Sequence, residues 1–275
     1  MSGSQKGGAY ARALARELPL EHGNLRAVAS RLGLQIREVD ADGFDGALIR
    51  AREIPLGTIA IRQSIREAGR KNFTLAHEIA HFLLPDHDQT ELVCTKSDIG
   101  NWGDWSRELE READEFAAEL LMPASEVQPI VESAPPSLQV IEKIAQRFHT
   151  SLSAAAWRYC DLAKQSCAIV WARNDRIDWS KRSRHFGFQL QKGAPLQQGT
   201  FALQCFAGTP GPRKPQALPA RLWISATGFP EDAPLWEESK ALPAYNSVIS
   251  LLWIKSLLIA GVLVGELAPA LRSIA

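Results

Sequence analysis

The chain has 275 residues, of which 45% are hydrophobic and 23% charged, enough for one large or two medium globular domains with buried cores. Its net charge is zero, but residues 1–165 carry 19 basic against 24 acidic side chains, whereas residues 166–275 carry 12 against 7. A neutral chain with an acidic N-terminal part lacks the strongly basic surface of a general nucleic-acid-binding protein, which argues against that class.

Two helices and a small sheet are predicted near the start of the chain. Helical periodicity covers residues 7–17 and 24–32. Runs of strand-forming residues at 34–39, 46–50 and 58–61 predict three strands. We predict Thr58–Ile61 as the edge of the sheet, where main-chain pairing would hold an extended peptide substrate.

The most informative segment is His77-Glu78-Ile79-Ala80-His81, an H-E-x-x-H pattern within a predicted helix. Residues four apart share a helix face, so both imidazoles can reach one metal ion at about 2.0–2.1 Å. Glu78 then lies beside the open coordination position, where a water molecule needs a general base to take its proton. The flanking residues are apolar, which predicts a buried helix; a solvated helix face is the weaker alternative, because partners must offset the burial of these polar groups.

A catalytic zinc site commonly uses three protein ligands, so a further donor is required. The amphipathic run from Leu109 to Pro123 supplies candidates. Glu110 and Asp114 lie one turn apart beside its apolar face. We predict Glu110 as the third ligand and Asp114 as the acceptor for the outer nitrogen of a ligand histidine. Other carboxylates of this helix compete as ligands and otherwise form an ordinary charged surface: Glu108, Glu112, Glu115 and Glu119.

Both halves of this pattern, in this order, resemble the ImmA/IrrE family of metallo-endopeptidases. The resemblance is carried by Phe73–His81 and by Glu110–Pro123, which reads E-x-x-A-D-x-F-A-x-x-L-L-M-P. It implies a gluzincin-like site in which His77, His81 and Glu110 hold zinc and Glu78 is the catalytic base. It also implies that Asp114 occupies a position where the family usually has Asn or Asp. The resemblance covers about residues 7–165.

The resemblance further implies a zinc-dependent endopeptidase that cleaves a cognate helix-turn-helix transcriptional repressor and so derepresses stress-response or mobile-element genes. The expected fold class is α+β. A helical zincin-like domain with a small sheet spans residues 1–125, a helix-turn-helix-like helical unit 126–165 and a C-terminal α+β domain 166–275. Manganese is an alternative ion, because ligand type alone does not fix the metal. The alternative function is a DNA-binding or antitoxin-type regulatory protein whose metal site is structural or vestigial.

Asp86, His87 and Asp88 follow the motif helix after a proline. We predict His87 as a solvent-facing loop residue. The alternative is a donor that stabilises the transition state.

Two helices joined by a short turn are predicted at residues 137–148 and 151–162, with Ser137 and Ser151 as caps. In a DNA-binding helix-turn-helix the second helix reads base edges, but Ala154–Trp157 offers few hydrogen-bond donors. We therefore expect this unit to support the active site or to dock the substrate repressor, and we do not expect direct DNA binding.

The C-terminal region is predicted to contain strands at Cys167–Ala172 and Phe201–Phe206 and a loop rich in proline and glycine at 208–219. A regulatory role, with a GAF-like module as one form of it, is a hypothesis without a motif to support it. The four cysteines show no C-x-x-C spacing, so reduced and packed thiols are expected.

Neither end of the chain predicts secretion or membrane insertion. The polar start, Met1 to Lys6, has no basic region followed by an apolar run. Val248–Gly265 contains 18 mostly apolar residues, but Lys255 interrupts it, and a charge at a bilayer centre would cost about 2.5–3.5 kcal/mol. We expect a cytoplasmic protein with no membrane partner, in which this segment belongs to a globular core.

Overall fold

The computed structural model describes residues 6–18, 24–50, 56–85, 87, 91–94, 105–226, 229–255, 258–259 and 262–263. The chain divides into two compact units. The N-terminal unit comprises Met1–Glu126 and Ile144–Ala154, and the C-terminal unit comprises Val127–Lys143 and Ala155–Ala275. The mixture of helices and two larger sheets confirms the predicted α+β class. The division into three domains stays a prediction.

The N-terminal unit combines helices with a four-stranded sheet. Its helices are α1 (Lys6–Glu17), α2 (Leu25–Arg31), α3 (Ala68–Leu83) and α4 (Trp105–Leu121). Its strands are β1 (Leu34–Val39), β2 (Gly46–Arg50), β3 (Gly57–Arg62) and β4 (Glu91–Cys94). The strand order is β1-β3-β2-β4, with β1 and β3 parallel and the other pairs antiparallel.

The strand predicted as the sheet edge lies inside the sheet. β3 contains Thr58–Ile61 and pairs with β1 on one side and with β2 on the other. Its residues Ile59, Ala60 and Ile61 are all buried, a continuous run typical of a strand covered on both faces. The prediction was wrong because strand order depends on long-range pairing, which a local pattern does not encode. Within the described part of the chain, β1 and β4 are the edges of this sheet.

α3 carries the H-E-x-x-H segment and is buried along its second half. Every residue from Thr74 to His81 is buried. The helix ends because Leu84 has extended backbone (φ −75°, ψ 132°), as expected for the residue before Pro85. α3 packs against α4 and against β2 and β3. The polar groups of the motif are therefore enclosed by a helix and a sheet.

α1 packs closely against α4 at a glycine. A Cβ at Gly7 would lie 2.0 Å from the carbonyl oxygen of Glu112, so this approach requires glycine. Beside it, Lys6 Nζ lies 3.4 Å from Glu112 Oε2, and the Glu112 side chain is buried. α1 thus brings a positive charge to a buried carboxylate of α4.

The next three helices each contain residues of both units: α5 (Ala124–Glu132), α6 (Leu138–Arg147) and α7 (Leu152–Leu162). The two caps predicted for α6 and α7 are confirmed. Ser137 Oγ accepts a hydrogen bond from Val140 N at 3.4 Å, and Ser151 Oγ accepts one from Ala154 N at 3.1 Å. No side chain from Leu152 to Cys160 is fully exposed, so α7 presents little that could enter a DNA groove.

The C-terminal unit contains a five-stranded antiparallel sheet. Its strands are β5 (Ser166–Arg173), β6 (Arg176–Arg182), β7 (Gln216–Pro219), β8 (Pro234–Leu242) and β9 (Ser247–Ile254), in the order β6-β5-β9-β8-β7. β7 lies at the end of the segment predicted as a loop. A separate pair, β10 (Leu258–Ile259) and β11 (Val262–Leu263), follows.

The first part of the apolar run at 248–265 forms β9, a strand inside this sheet, paired with β5 and β8. Val248 to Leu252 are all buried, as predicted for a globular core. Much of the run after Lys255 lies outside the described residues. None of the helices that the structure describes has the length and apolar character needed to cross a bilayer.

The segment Phe201–Phe206 forms a helix, α8, and not the predicted strand. Thr200 caps it, with Oγ1 accepting a hydrogen bond from Leu203 N at 3.3 Å. The Glu237 carboxylate of β8 accepts another from Ala202 N at 2.7 Å. The six-residue pattern fits either a strand or a short helix, and these caps, one of them distant in sequence, favour the helix.

The cysteines of the C-terminal unit are packed thiols, as predicted. Cys160, Cys167 and Cys205 are free and buried. Burial raises the pKa of the Cys160 and Cys205 thiols, which disfavours their reactive thiolate forms. The side chain of Cys94 lies outside the described residues.

Candidate metal centre

Two histidines of α3 meet inside the N-terminal unit. His77 and His81 are 1% and 0% exposed. Because they are one helical turn apart, both rings leave the same face of α3, and their Nε2 atoms lie 3.0 Å apart. A cation bound by both nitrogens would satisfy two polar atoms that burial has removed from water.

α4 brings a carboxylate to these nitrogens. Glu110 Oε2 lies 2.9 Å from His77 Nε2, and Glu110 Oε1 lies 3.4 Å from His81 Nε2. His77, His81 and Glu110 form the candidate metal-binding cluster among the described residues. A tetrahedral zinc ion with ligands at about 2.0–2.1 Å keeps its ligand atoms about 3.3 Å apart. The observed separations of 2.9, 3.0 and 3.4 Å are close to that value, so the donor set fits zinc.

Asp114 contacts the outer nitrogen of His77. Its Oδ1 lies 2.9 Å from His77 Nδ1. Asp114 follows Glu110 by one turn of α4, so one face of this helix supplies both a metal donor and a hydrogen-bond acceptor. When His77 donates its Nδ1–H to Asp114, its Nε2 atom carries a lone pair. This lone pair points toward His81 Nε2 and the Glu110 carboxylate, as a metal ligand requires.

Asp114→Ala is expected to weaken zinc affinity by roughly 10–100-fold, because His77 loses the partner that fixes its ring and tautomer. Competition with a chelating dye would measure the affinity. Glu108→Ala, on an exposed position of the same helix, is the control and is expected to bind zinc like the native chain. Native affinity in the Asp114 variant would contradict this role.

His87 is buried and does not face solvent. It is 0% exposed, and its Nδ1 lies 2.8 Å from Nδ1 of His81. Its Nε2 lies 3.4 Å from Glu112 Oε2. The prediction of a solvent-facing loop residue was wrong, because the cover comes from α4, which is distant in sequence. Both ring nitrogens face protein groups, which does not favour the alternative of a transition-state donor. The neighbours Asp86 and Asp88 lie outside the described residues.

The protonation states of two donors suit metal binding. Burial lowers the pKa of His81 to about 4, although its hydrogen bond with Glu110 acts in the opposite direction. Burial raises the pKa of Glu110, but the hydrogen bonds and charges of His77 and His81 together outweigh it and hold that pKa well below its usual range. At neutral pH His81 is therefore an uncharged imidazole and Glu110 a carboxylate, the forms that bind metal ions.

Glu78 is fully buried and lies against the start of β2. A Cβ at Gly46 would lie 2.4 Å from Glu78 Oε1 and 2.5 Å from Thr74 Cγ2. Glycine at this position therefore lets β2 pass next to the motif carboxylate. Gly46 lies in a predicted strand, and the local sequence does not connect it to the site. The sequence does contain a signal for this contact, because a glycine inside a strand often marks a place where another group approaches the backbone closely.

An ion-pair cluster around the buried Asp45 carboxylate fixes the backbone just before Gly46. Asp45 is 0% exposed and accepts hydrogen bonds from the guanidinium groups of Arg62 and Arg70. Arg62 also donates its backbone N–H to the carbonyl oxygen of Asp45 at 3.1 Å. The start of β2 is thereby tied to the end of β3 and to the first turn of α3, which holds Gly46 against Glu78.

Gly46→Ala is expected to destabilise the fold by about 1–3 kcal/mol, because the added methyl group overlaps two side chains of a well-packed helix. Gly8→Ala is the matched control. There the nearest atom to the new Cβ is the flexible Arg12 Nη1 at 3.3 Å, and alanine favours the helix by roughly 0.5–1 kcal/mol. Urea unfolding would measure both variants, and equal stability of the Gly46 variant and the native chain would contradict the proposed close approach.

Residues 29–159 match the family model of the IrrE N-terminal-like domain, a peptidase family. This region of the chain is an IrrE N-terminal-like domain. It begins in α2, ends in α7, and includes both halves of the site, which confirms the resemblance read from the sequence. Membership of this family supports a metallopeptidase-type function for the domain.

The chain, including the IrrE N-terminal-like domain, is similar in fold to a solved structure, that of a Mycobacterium tuberculosis transcriptional regulator. The similarity covers 90% of this chain and 76% of that chain, with a TM-score of 0.58 and 13% identity. At this identity the similarity shows the fold alone. No curated protein matches the chain.

Proposed function

We propose that this chain is a zinc-dependent endopeptidase. The observation that carries the proposal is the set of three separations, 2.9, 3.0 and 3.4 Å, between two imidazole nitrogens and a carboxylate. His77, His81 and Glu110 would hold the ion. Manganese is the alternative metal, because these donors also accept it.

Catalysis would use the buried groups around the three ligands. A zinc ion held there would polarise the peptide carbonyl and lower the pKa of a water molecule from about 15.7 to about 7. Glu78, as general base, would take a proton from the attacking water and pass it to the leaving amine. Gly46 and the Asp45 cluster would fix the position of that carboxylate, and Asp114 would orient His77.

An extended substrate would lie along β4. Within the described residues this strand pairs on one side, with β2, and its other side forms an edge of the sheet. Cys94 of β4 is opposite Gly46, which in turn contacts Glu78. A peptide added at this edge by main-chain hydrogen bonds would therefore be separated only by β4 from β2, the strand that touches the proposed base.

We further propose that the substrate is a cognate helix-turn-helix repressor in the cytoplasm, whose cleavage derepresses stress-response or mobile-element genes. The family of the domain supports this proposal. The proposal is also compatible with the similarity in fold to a transcriptional regulator. The buried character of α7 weighs against the alternative of a DNA-binding regulatory protein.

Incubation of the full chain with candidate repressors, with and without a chelator, tests the function. We expect cleavage that stops on chelation and returns when zinc is added back. Cleavage that persists in the chelator would reject the metal-dependent mechanism. Specific DNA binding at physiological salt without any cleavage would favour the alternative.

A further inference from the structure

The outer nitrogen of His81 has a partner of an unusual kind. His77 contacts a carboxylate directly through its Nδ1 atom, whereas His81 Nδ1 contacts another imidazole, His87 Nδ1, at 2.8 Å. The two rings are tilted by 45° with centroids 4.9 Å apart, so the contact is edge to edge and not a stack. Such a short contact between two ring nitrogens holds one hydrogen, donated by one ring and accepted by the other.

The position of His81 in the site fixes the direction of this hydrogen bond. Its Nε2 faces His77 Nε2 and Glu110 Oε1, so Nε2 is the atom that would bind the ion and must carry a lone pair. The hydrogen of the neutral ring is then on Nδ1, and His81 donates to His87. His87 Nδ1 is consequently an acceptor, and the hydrogen of His87 is on Nε2.

The nitrogen that carries this second hydrogen lies close to a buried carboxylate. His87 Nε2 lies 3.4 Å from Glu112 Oε2, and among the described residues neither atom has a partner at hydrogen-bond geometry, so the two groups are in electrostatic contact. Glu112 is 5% exposed, and Lys6 Nζ of α1 lies 3.4 Å from the same oxygen. The negative charge at the end of this chain of contacts is therefore balanced by a cation of α1.

We propose that His87 is a positioning residue for the metal site, which links the ligand His81 to Glu112 and so fixes the tautomer and ring orientation of His81. α4 then supports both ligand histidines, His77 directly through Asp114 and His81 through His87. The arrangement requires a hydrogen-bond acceptor at the position of His87 Nδ1. This inference rests on the metal site of the proposed function and is independent of which peptide is cleaved.

Two substitutions at position 87 separate positioning from packing. His87→Leu removes the acceptor and keeps an apolar side chain in the buried site, so we expect zinc affinity to fall by roughly 10–100-fold. His87→Asn places an amide oxygen near the position of Nδ1 and is expected to restore most of the affinity. His185→Leu, a half-buried histidine of the C-terminal unit, is the control and is expected to bind zinc like the native chain.

Zinc affinity of the full chain would be measured by competition with a chelating dye, and folding by circular dichroism. Long-range proton–nitrogen spectra of the zinc-loaded chain give a second readout. We expect His81 protonated on Nδ1 and His87 on Nε2 in the native chain, and a shift of the His81 Nδ1–H signal in His87→Leu but not in His87→Asn.

The role of Glu112 is tested in the same assay. Glu112→Gln keeps an acceptor but removes the charge, so a smaller loss of affinity is expected, and its effect should not add to that of His87→Leu. Fully additive losses would show that the two residues act separately and would overturn the link.

Native affinity in a folded His87→Leu variant, or equal weakening in folded His87→Asn, would overturn the inference. A chain that binds zinc with the expected tautomers but cleaves no peptide would retain this inference and reject the proposed function. The zinc affinity and the proton–nitrogen spectra of the His87 variants are the deciding measurements. A native chain that binds no zinc would reject both.

Discussion

Glu78→Gln is expected to lower kcat for peptide cleavage by roughly 100–10,000-fold, the usual contribution of a general base. The amide has almost the same shape as the carboxylate, so it fits against Gly46 and keeps the packing of α3. It removes the base without removing any of the three ligands, and zinc affinity should therefore stay native.

The control for Glu78→Gln is a variant in which a glutamate elsewhere in the chain is also changed to glutamine. Glu108→Gln lies on an exposed position of α4 and should leave kcat, zinc affinity and stability unchanged. Unimpaired cleavage by Glu78→Gln would reject Glu78 as the base, whereas loss of zinc by this variant would mean that Glu78 helps to hold the ion.

Glu110→Ala is expected to weaken zinc affinity by more than the roughly 10–100-fold assigned to residues that act through a ligand. The variant loses the negative donor of the site, the Glu110 carboxylate that lies beside the Nε2 atoms of His77 and His81. Zinc at 100-fold excess over its Kd should stabilise the native chain by about 2.7 kcal/mol. The variant should gain little at the same concentration.

Thermal or urea unfolding with and without zinc measures this difference. Glu108→Ala serves as control, since its side chain is exposed on the same helix. Equal zinc stabilisation of Glu110→Ala and the native chain would assign the third ligand to another carboxylate. Glu112 would then be the first to examine, because it is buried nearby on α4.

The local patterns predicted the elements of the N-terminal unit well. Periodicity places α1, α2, β1 and β2 within a residue of their bounds, and the H-E-x-x-H spacing identifies two side chains that do converge. The phase of α4 indicated Glu110 and Asp114, which the structure brings next to His77. These successes share one property, since each depends on residues close together in one element.

The missed features depend on contacts between distant elements. β3 was predicted as an edge because its neighbours cannot be read from its own residues. The local sequence places His87 in a polar loop, and only its contact with α4 shows that it is buried. Gly46 likewise resembles any strand glycine, and only its contact with Glu78 shows its role. Phe201–Phe206 was predicted as a strand because its cap from Glu237 is supplied by a strand far along the chain.

The most direct test of the site is the anomalous difference density of the zinc-loaded chain in a crystal. One peak is expected at about 2.0–2.1 Å from His77 Nε2, His81 Nε2 and a carboxylate oxygen of Glu110. A zinc peak elsewhere, with these three side chains directed away from one another, would contradict the metal site and with it the proposed hydrolytic function.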